Sequence, residues 1–450
     1  MQLFNLKTIL VIGAGKSTTT LISYLGNLTQ ELNWKLIVAD PQVEIAKAKI
    51  SQFTHAEAIA IEVSNEKELQ SEISKADIVV SMVPAFLHIY VAKACINQKK
   101  HLFTASYVSP EIKELHAEAL KNNLFILMEC GLDPGIDHMS ALALIQKLKN
   151  KGAKIESFRS FCGGLVAPIS DTNLWHYKFS WNPRNVILAG QGTAQFLQNK
   201  QLKLVPYHQL FKNTSAFTLP SGQKFEGYPN RDSISYISTY HLENEVQNFV
   251  RGTLRGENFC QAWACLIDLG LTDGVTKINI EATTWRAFLL TFVPHSSIET
   301  IETDLCKYLK INKESIVFKM LEEIGIFETI KIESQSTTPA EVLQALLEEK
   351  WKLQTGDFDQ VVMVHEIEYV LENKKHAISS SLEITGNESD TAMGKTVGLP
   401  LAIAIELFIN GTITEKGVQT PTKESIYLPI LEKLEGNGIW FNEVGRVERI

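Results

Sequence analysis

The sequence is poor in the features that mark a special environment. Its six cysteines are scattered over 450 residues, the closest pair, Cys260 and Cys265, lie five apart, and none has a CxxC or Cys/His zinc spacing. A disulfide framework and a metal site are therefore not expected, and scattered thiols fit a reducing compartment where cysteine acts as a small apolar side chain. Blocks of Lys and Arg are missing, and 43 basic against 51 acidic residues give a net charge of −8. Nucleic acid and anionic membranes demand a concentrated cationic surface, so neither is an expected partner. Long apolar runs are scarce as well. The run 8–13 before Lys16 is too short for the core of a secretory signal, and the longest, 78–92, contains Pro84 and His88 and falls short of a membrane span. The expectation is a cytoplasmic protein with no membrane partner. Repeats and low-complexity tracts are absent.

What remains is an ordinary globular composition, 45% hydrophobic, with chain enough for about three domains. Up to residue 130, short β-branched runs at 8–12, 35–39, 58–63, 77–83, 101–104 and 125–128 read as strands separated by helix-length segments. The first helix carries the stripe Leu21, Tyr24, Leu25 and Leu28, and Pro110 stands as a first-turn proline before Ile112, Leu115 and Ala119. Six strands with five intervening helices predict an α/β fold, a Rossmann-type doubly wound parallel sheet.

Beyond residue 130 a mixed α/β domain is expected over 131–258 and 351–393, interrupted by a helical subdomain at 259–350. In the helical part Val317, Met320, Leu321 and Ile324 form a stripe ended by Gly325, and Thr338-Pro339-Ala340-Glu341 forms a capping box. The stretch 361–371 pairs across 372–375 with 377–384 as a hairpin. The segment 394–450, with a helix at 399–409, is expected to return to the first domain.

Gly13-Ala14-Gly15 follows the first strand and opens the first helix, where a turn without side chains lets backbone N–H groups approach a pyrophosphate. Thr18 stands where a third glycine would complete the dinucleotide fingerprint. A Walker A reading of Gly15-Lys16-Ser17 fails because Leu10 occupies the position of its first glycine. Asp40 ends the second strand, from which a carboxylate accepts from ribose hydroxyls and repels a 2′-phosphate. Pro41-Gln42-Val43 supplies no Arg to hold that phosphate, so NAD is expected, with NADP as the alternative. Asp40 reads equally as a turn residue or helix cap. Ser81, Met82, Val83 and Pro84 follow the fourth strand, where loops line the dinucleotide crevice, although Met82 also reads as core.

Six further segments carry a resemblance: 101–110 (HLFTASYVSP), 131–138 (GLDPGIDH), 162–165 (CGGL), 177–181 (YKFSW), 228–233 (YPNRDS) and 250–255 (VRGTLR), with a compatible 412–417 (TITEKG). Together, in this order and over nearly the whole chain, they resemble the glutamate-forming saccharopine dehydrogenases, also called saccharopine reductases. The resemblance implies a Rossmann domain, an α/β domain that also dimerises, and a helical domain, in a homodimer. It implies that Ser106, Tyr107, Asp133, Arg231 and the segment Arg251, Gly252, Thr253 contact saccharopine. Gly13, Gly15 and the 81–84 loop would contact the dinucleotide, with Ala14, Lys16, Ser17, Asp40, Leu132 and Gly135 in the same set. Two departures stand out: Lys16-Ser17 replaces a bulkier apolar pair, and Asp40 replaces the Cys-Arg pair of NADP-using members.

Saccharopine carries three carboxylates and a secondary amine, so a protein of net charge −8 needs fixed cations, and the planar forks of Arg231 and Arg251 suit carboxylates. Arg255 either shares a helix face with Arg251 or is solvated. Hydride removal beside the amine yields an imine that water attacks, which calls for a proton-moving group. Asp133, His138, Lys178 and Tyr107 are the candidates. Asp133 also reads as the N-cap of the helix carrying Ala141, Leu144, Ile145 and Leu148, His138 as a first-turn residue, and Lys178 as a lysine among aromatics or a solvated one. The implied reaction converts saccharopine, NAD(P) and water to glutamate, 2-aminoadipate 6-semialdehyde and NAD(P)H, in lysine metabolism. The alternatives are an imine reductase acting on a carboxylated polyamine adduct and a catalytically silent NAD(H)-binding regulator.

Overall fold

The computed structural model describes residues 7–189, 191–279, 283–332 and 337–447. The expected ranges 1–130, 131–258, 259–350 and 394–450 all include residues beyond this set, and those parts lie outside the described residues. The chain divides into two units, Met1–Lys151 with Gly386–Phe441, and Gly152–Thr385 with Asn442–Ile450.

With strands numbered along the whole chain, the first unit holds β1 (Thr8–Ile12), β2 (Lys35–Ala39), β3 (Ala56–Ile59), β4 (Ile78–Ser81), β5 (His101–Phe103), β6 (Phe125–Leu127) and β15 (Gly417–Gln419). They form a parallel sheet in the order β15-β6-β5-β4-β1-β2-β3, the doubly wound order with one returning strand added at its edge. All five residues of β1 are buried, as a central strand covered by helices on both faces requires. β3 ends earlier than its apolar pattern predicts, because Ile61 and Val63 pack into the core after the ladder with β2 has stopped at Ile59.

The helix Thr19–Glu31 buries Leu21 and Leu25 as expected, and Ser109 caps the helix Pro110–Glu114 by accepting from the Ile112 N–H. The return segment contributes the helix Ala392–Ile409, seven residues longer at its start than predicted, capped by Thr391. This corrects the reading of 78–92 as the longest apolar segment. By length and composition the helix could cross a membrane, yet 72% of it is buried inside the protein, packed against Thr19–Glu31. Lys395 and Glu406 break its apolar run in sequence, and Glu406 is held by Lys433 and Tyr24.

The second unit holds β7 (Lys154–Val166), β8 (Ala194–Gln198), β9 (Gln201–Val205), β10 (Ser215–Thr218), β11 (Lys224–Pro229), β12 (Asn248–Arg255), β13 (Asp359–Leu371), β14 (Lys374–Thr385) and β16 (Asn442–Val447). The main path runs β10-β11-β12-β7-β13-β14-β16, antiparallel except for β12 beside β7. The β13–β14 hairpin turns through Glu372 and Asn373, both at positive φ, the type I′ geometry that matches strand twist. The helical stretch from Phe259 to Lys350 shares one core with the sheet: Trp263, Leu321 and Leu347 belong to the same cluster as Phe161, Leu165 and Val362. Trp175, Tyr177, Phe259, Trp263 and Trp351 form its aromatic centre. Both predicted caps are present, the Gly325 turn at positive φ and the full capping box at Thr338 and Glu341.

Trp351 is fully buried and lies against five rings, those of Trp175, Tyr177, Phe179, Phe259 and Trp263. Trp351→Ala should lower the stability of the second unit by about 3–5 kcal/mol. Urea unfolding followed by circular dichroism checks this, and an unchanged midpoint would show that the cluster does not hold the unit together.

Candidate active site

The candidate residues divide between the two units, and each group is built by its own elements. In the first unit they gather at the carboxyl ends of parallel strands, the edge where doubly wound sheets bind ligands. Gly13 leaves β1 at φ 102, and a Cβ there would lie 2.6 Å from the Met82 carbonyl, so the crossing of these two chain segments admits only glycine. Ala14 is buried, whereas a Cβ on Gly15 would meet nothing within 4 Å, leaving open space over the turn. A short 3-10 turn, Lys16–Thr18, precedes the helix proper, with Lys16 exposed and Ser17 half-buried. The open space over Gly15 gives a dinucleotide pyrophosphate the room for close approach that it needs.

Asp40 holds the turn from the side. Its Oδ2 accepts from the Ala14 N–H at 2.9 Å and its Oδ1 from the Gln42 N–H at 2.9 Å. Lys49, which no motif pointed to, lies on the helix Val43–Ile50 and donates from Nζ to the Gly15 carbonyl and to Thr18 Oγ1 at 2.8 Å. Thr18 itself donates to the Gly15 carbonyl at 2.8 Å. Thr18 and Lys49 thus tie down the turn at the position where the fingerprint would have a third glycine. Burial pushes the Lys49 ammonium down to about 8, against the opposing pull of Asp390 and Asp40.

In the 81–84 loop the Ser81 hydroxyl is buried and bonds His88 Nδ1 at 2.8 Å, so its side chain faces inward. Burial lowers His88 to about 4, and Nε2 of this neutral ring has no hydrogen-bond partner. Met82 and Val83 are half-buried and Pro84 is exposed.

Tyr107 follows β5 and Asp133 follows β6. The Tyr107 hydroxyl donates to Asp133 Oδ1 at 2.8 Å, and Tyr107 is 47% exposed, so the pair combines a proton donor and an acceptor on accessible surface. The N-cap reading of Asp133 is overturned. The helix begins at Ile136 with Gly135 as its N-cap, because Gly135 sits at φ 144 against Gly131, where a Cβ would lie 2.1 Å from the Gly131 carbonyl. Leu132 is buried, Ser106 is half-buried, and the Asp133-Pro134 peptide is cis. His138 does occupy the first turn, fully buried, within 3.1 Å of Glu129 Oε2 and 3.3 Å of Asp137 Oδ2.

In the second unit Arg251, Thr253 and Arg255 alternate along β12, a strand and not the helix that their spacing allowed. Arg251 is buried with its guanidinium 4.0 Å from the Tyr236 ring centre. Thr253 Oγ1 donates to Asn230 Oδ1 at 2.8 Å, and Gly252 lies against the Phe161 ring. Arg231 is exposed in the loop after β11. Arg255 is buried, not solvated: Tyr177, Tyr228 and Phe259 surround its guanidinium, and its Nη1 donates to the Leu254 carbonyl at 2.8 Å. Lys178 is buried too, and its Nζ donates to Asp357 Oδ2 at 2.7 Å. Burial opposes the charge on Asp357, but the hydrogen bond from Lys178, the Gln354 N–H and the Lys178 charge together outweigh it and hold the carboxyl below its usual range. This ion pair withdraws Lys178 from the proton-moving candidates.

Sequence reasoning missed Lys49, His88 and Glu129, whose partners lie on other elements, and Asp137, whose partners Leu132, Gly135 and His138 are its close neighbours in the chain.

Comparison with known proteins bears on these residues. Residues 9–127 match the model described as saccharopine dehydrogenase NADP binding domain, and residues 131–439 match the saccharopine dehydrogenase C-terminal domain. The chain is 34% identical over 444 residues to a saccharopine dehydrogenase [NADP(+), L-glutamate-forming] of Pyricularia oryzae, covering 95% of this chain and 96% of that protein. It is 35% identical over 426 residues to an α-aminoadipic semialdehyde synthase of Arabidopsis thaliana, covering 90% of this chain and 40% of that longer protein. Among solved structures, the apo saccharopine dehydrogenase (L-Glu forming) of Saccharomyces cerevisiae superposes with a TM-score of 0.88 at 29% identity, covering 98% of this chain and all of that one. A homospermidine synthase from Legionella pneumophila, at TM-score 0.55 and 10% identity, shares the fold alone. With both of its parts matched by the family's models and its length matched by a family member, the chain belongs to the saccharopine dehydrogenases.

Proposed function

We propose that the protein catalyses the reversible, dinucleotide-dependent oxidation of saccharopine, with water, to glutamate and 2-aminoadipate 6-semialdehyde in lysine metabolism. The observation that carries this reading is the nearly full-length match to glutamate-forming saccharopine dehydrogenases, with Tyr107 and Asp133 joined within the shared motifs. When bound, the dinucleotide supplies a nicotinamide ring that exchanges hydride with the carbon beside the substrate amine. Gly15 would face its pyrophosphate over the open side of the turn, with Gly13 and Ala14 shaping that turn while their N–H groups donate to the Ala39 carbonyl and to Asp40. Tyr107 and Asp133 would hold and move the proton: the carboxylate accepts, and the phenol passes its own proton along a bond already in place. Arg231 and Arg251 would meet substrate carboxylates with charge-assisted hydrogen bonds. The polyamine alternative rests on a likeness of fold alone, and a silent regulator would have no use for these substrate motifs. A homodimer in the cytoplasm is part of the same proposal, checked by sedimentation equilibrium and cell fractionation. Saccharopine-dependent absorbance growth at about 340 nm tests the activity directly; no growth with either dinucleotide would refute it.

Two substitutions separate the assigned roles. Asp133→Asn keeps an acceptor for the Tyr107 hydroxyl but no longer takes a proton, so turnover should fall steeply while the melting temperature holds. Arg231→Ala should raise the Michaelis constant for saccharopine by about tenfold or more, the loss of one charge-assisted contact of roughly 1.5–3 kcal/mol. Normal steady-state kinetics in either variant would remove that residue from the site.

For the dinucleotide we propose NAD. The family description and the names of the fungal relatives favour NADP(+), while the semialdehyde synthases, equally similar, carry no cofactor in their names. Support for NAD comes from the site itself, where the Asp40 carboxylate sits at the end of β2 with no Arg in 41–43. NAD should bind more tightly than NADP by about thirtyfold, roughly 2 kcal/mol of lost acceptance and added repulsion. Asp40→Ser should shrink the difference. Equal or tighter NADP binding by the wild type, read by fluorescence titration, would overturn the assignment.

Lys49 adds a pH dependence. Dinucleotide phosphates favour the charged ammonium, so binding raises a group that burial holds at about 8 and takes up a proton. Affinity should therefore be full below that value and decline above it. Titrations of NAD at neutral pH and at about pH 9.5 should show a several-fold weakening in the wild type and none in Lys49→Met. Parallel behaviour of the two proteins would exclude the lysine as the source.

A further inference from the structure

The loops that carry Tyr107 and Asp133 are each gripped at both ends by a carboxylate residue. Glu129, directly after β6, donates its own N–H to the Ser106 carbonyl at 2.9 Å, and its Oε1 accepts from the Val108 N–H at 3.0 Å. Ser106 and Val108 are the two neighbours of Tyr107. Asp137, in the first turn of Ile136–Lys149, donates its N–H to the Leu132 carbonyl at 3.0 Å, and its Oδ1 accepts from the Gly135 N–H at 2.6 Å. Leu132 and Gly135 bracket Asp133 in the same manner. His138 joins the two grips, with Nε2 at 3.1 Å from Glu129 Oε2 and Nδ1 at 3.3 Å from Asp137 Oδ2. All three side chains are nearly or fully buried, with exposures of 5% for Glu129, 1% for Asp137 and 0% for His138.

Burying two carboxylates and an imidazole is costly unless every polar atom is paired, and a hydrophobic trio would fill the same space at less cost. The geometry shows what the polar trio adds. A chain of hydrogen bonds and close polar contacts runs from the backbone beside Tyr107 through Glu129, His138 and Asp137 to the backbone beside Asp133, and the two ends meet again in the 2.8 Å Tyr107–Asp133 bond. Each loop alone has a soft tip, because Tyr107 is half-exposed and Asp133 lies outside the helix.

We propose that Glu129, His138 and Asp137 act as a clamp of positioning residues that fixes the Tyr107 hydroxyl against the Asp133 carboxylate. The clamp touches neither substrate nor dinucleotide. The proposal rests on the reading that Tyr107 and Asp133 handle the proton in saccharopine turnover. Misplacing a reacting pair by about 1 Å costs up to about a hundredfold in rate, so a clamp of this kind acts on turnover more than on binding.

The test compares Glu129→Ala, Glu129→Gln and His138→Gln, alone and combined with Asp133→Asn, using kcat, the Michaelis constant for saccharopine, NAD affinity and melting temperature. Glu129→Ala should lower kcat by roughly tenfold to a hundredfold, with the Michaelis constant and NAD affinity within about twofold of wild type. Glu129→Gln, which still accepts from Val108 and can donate to His138, should recover most of that loss. In the Asp133→Asn background the clamp substitutions should cost little more, since they act through the carboxylate already removed. Should Glu129→Ala fail to fold, His138→Gln in the two backgrounds carries the same comparison. Wild-type kcat in His138→Gln and Glu129→Ala, or losses that multiply undiminished in the Asp133→Asn background, would overturn the clamp. Wild-type turnover of Asp133→Asn and Tyr107→Phe themselves would instead overturn the role of the pair.

Discussion

Backbone N–H groups at the carboxyl edge of a parallel sheet have no strand left to pair with, and in this protein carboxylates satisfy several of them. Asp40 takes the donors of Ala14 and Gln42, Glu129 that of Val108, and Asp137 that of Gly135. Without such acceptors the loops after β1, β5 and β6 would carry wholly or partly buried donors at a cost of up to about 1–3 kcal/mol each. Each carboxylate therefore does two things at once: it lets a loop stay irregular, and it fixes the direction in which the neighbouring functional group points. The dinucleotide turn and the Tyr107–Asp133 pair are both products of this arrangement.

The second unit handles charge differently. Its arginines on β12 are stacked on rings, Arg251 on Tyr236 and Arg255 among Tyr177, Tyr228 and Phe259. Aromatic faces offset part of the cost of burying each guanidinium. Lys178 is the contrasting case. Asp357 neutralises it, and it serves the core. Three buried cations of one unit thus differ in what faces them, rings for Arg251 and Arg255 and a carboxylate for Lys178.

Cofactor choice illustrates how a local substitution and its surroundings act jointly. Asp40 supplies a carboxylate against the dinucleotide turn, while Lys49 supplies a cation within reach of the same turn, held partly in check by burial. Thr18 and Lys49 together fill the structural place of a missing glycine by bonding the Gly15 carbonyl. A turn built this way trades the plain close packing of helix on strand for a hydrogen-bonded support whose strength varies with pH.

Much of the fold was legible from the chain. β1 and β2 coincide residue for residue with the predicted strands, since β-branched runs buried on both faces leave no other reading, and the Thr338 capping box and the β13–β14 hairpin follow from local chemistry. The tight glycine turn after β1 was legible too, because it stands inside a short contiguous motif. Several things needed the tertiary structure. Lys49 meets Gly15 across 34 positions, Glu129 meets Val108 across 21, and Lys178 meets Asp357 across 179. A spacing of four let Arg251 and Arg255 be read as a helix face, although the strand's period of two places them on one face equally well. Asp133 looked like a cap until the contact of Gly131 with Gly135 moved the helix start to Ile136. Sequence alone determined which short-range geometries the chain can adopt and which residue types carry chemistry; only folding decided which distant charges become partners, because pairing depends on distance through space and burial, and neither is encoded in any single segment.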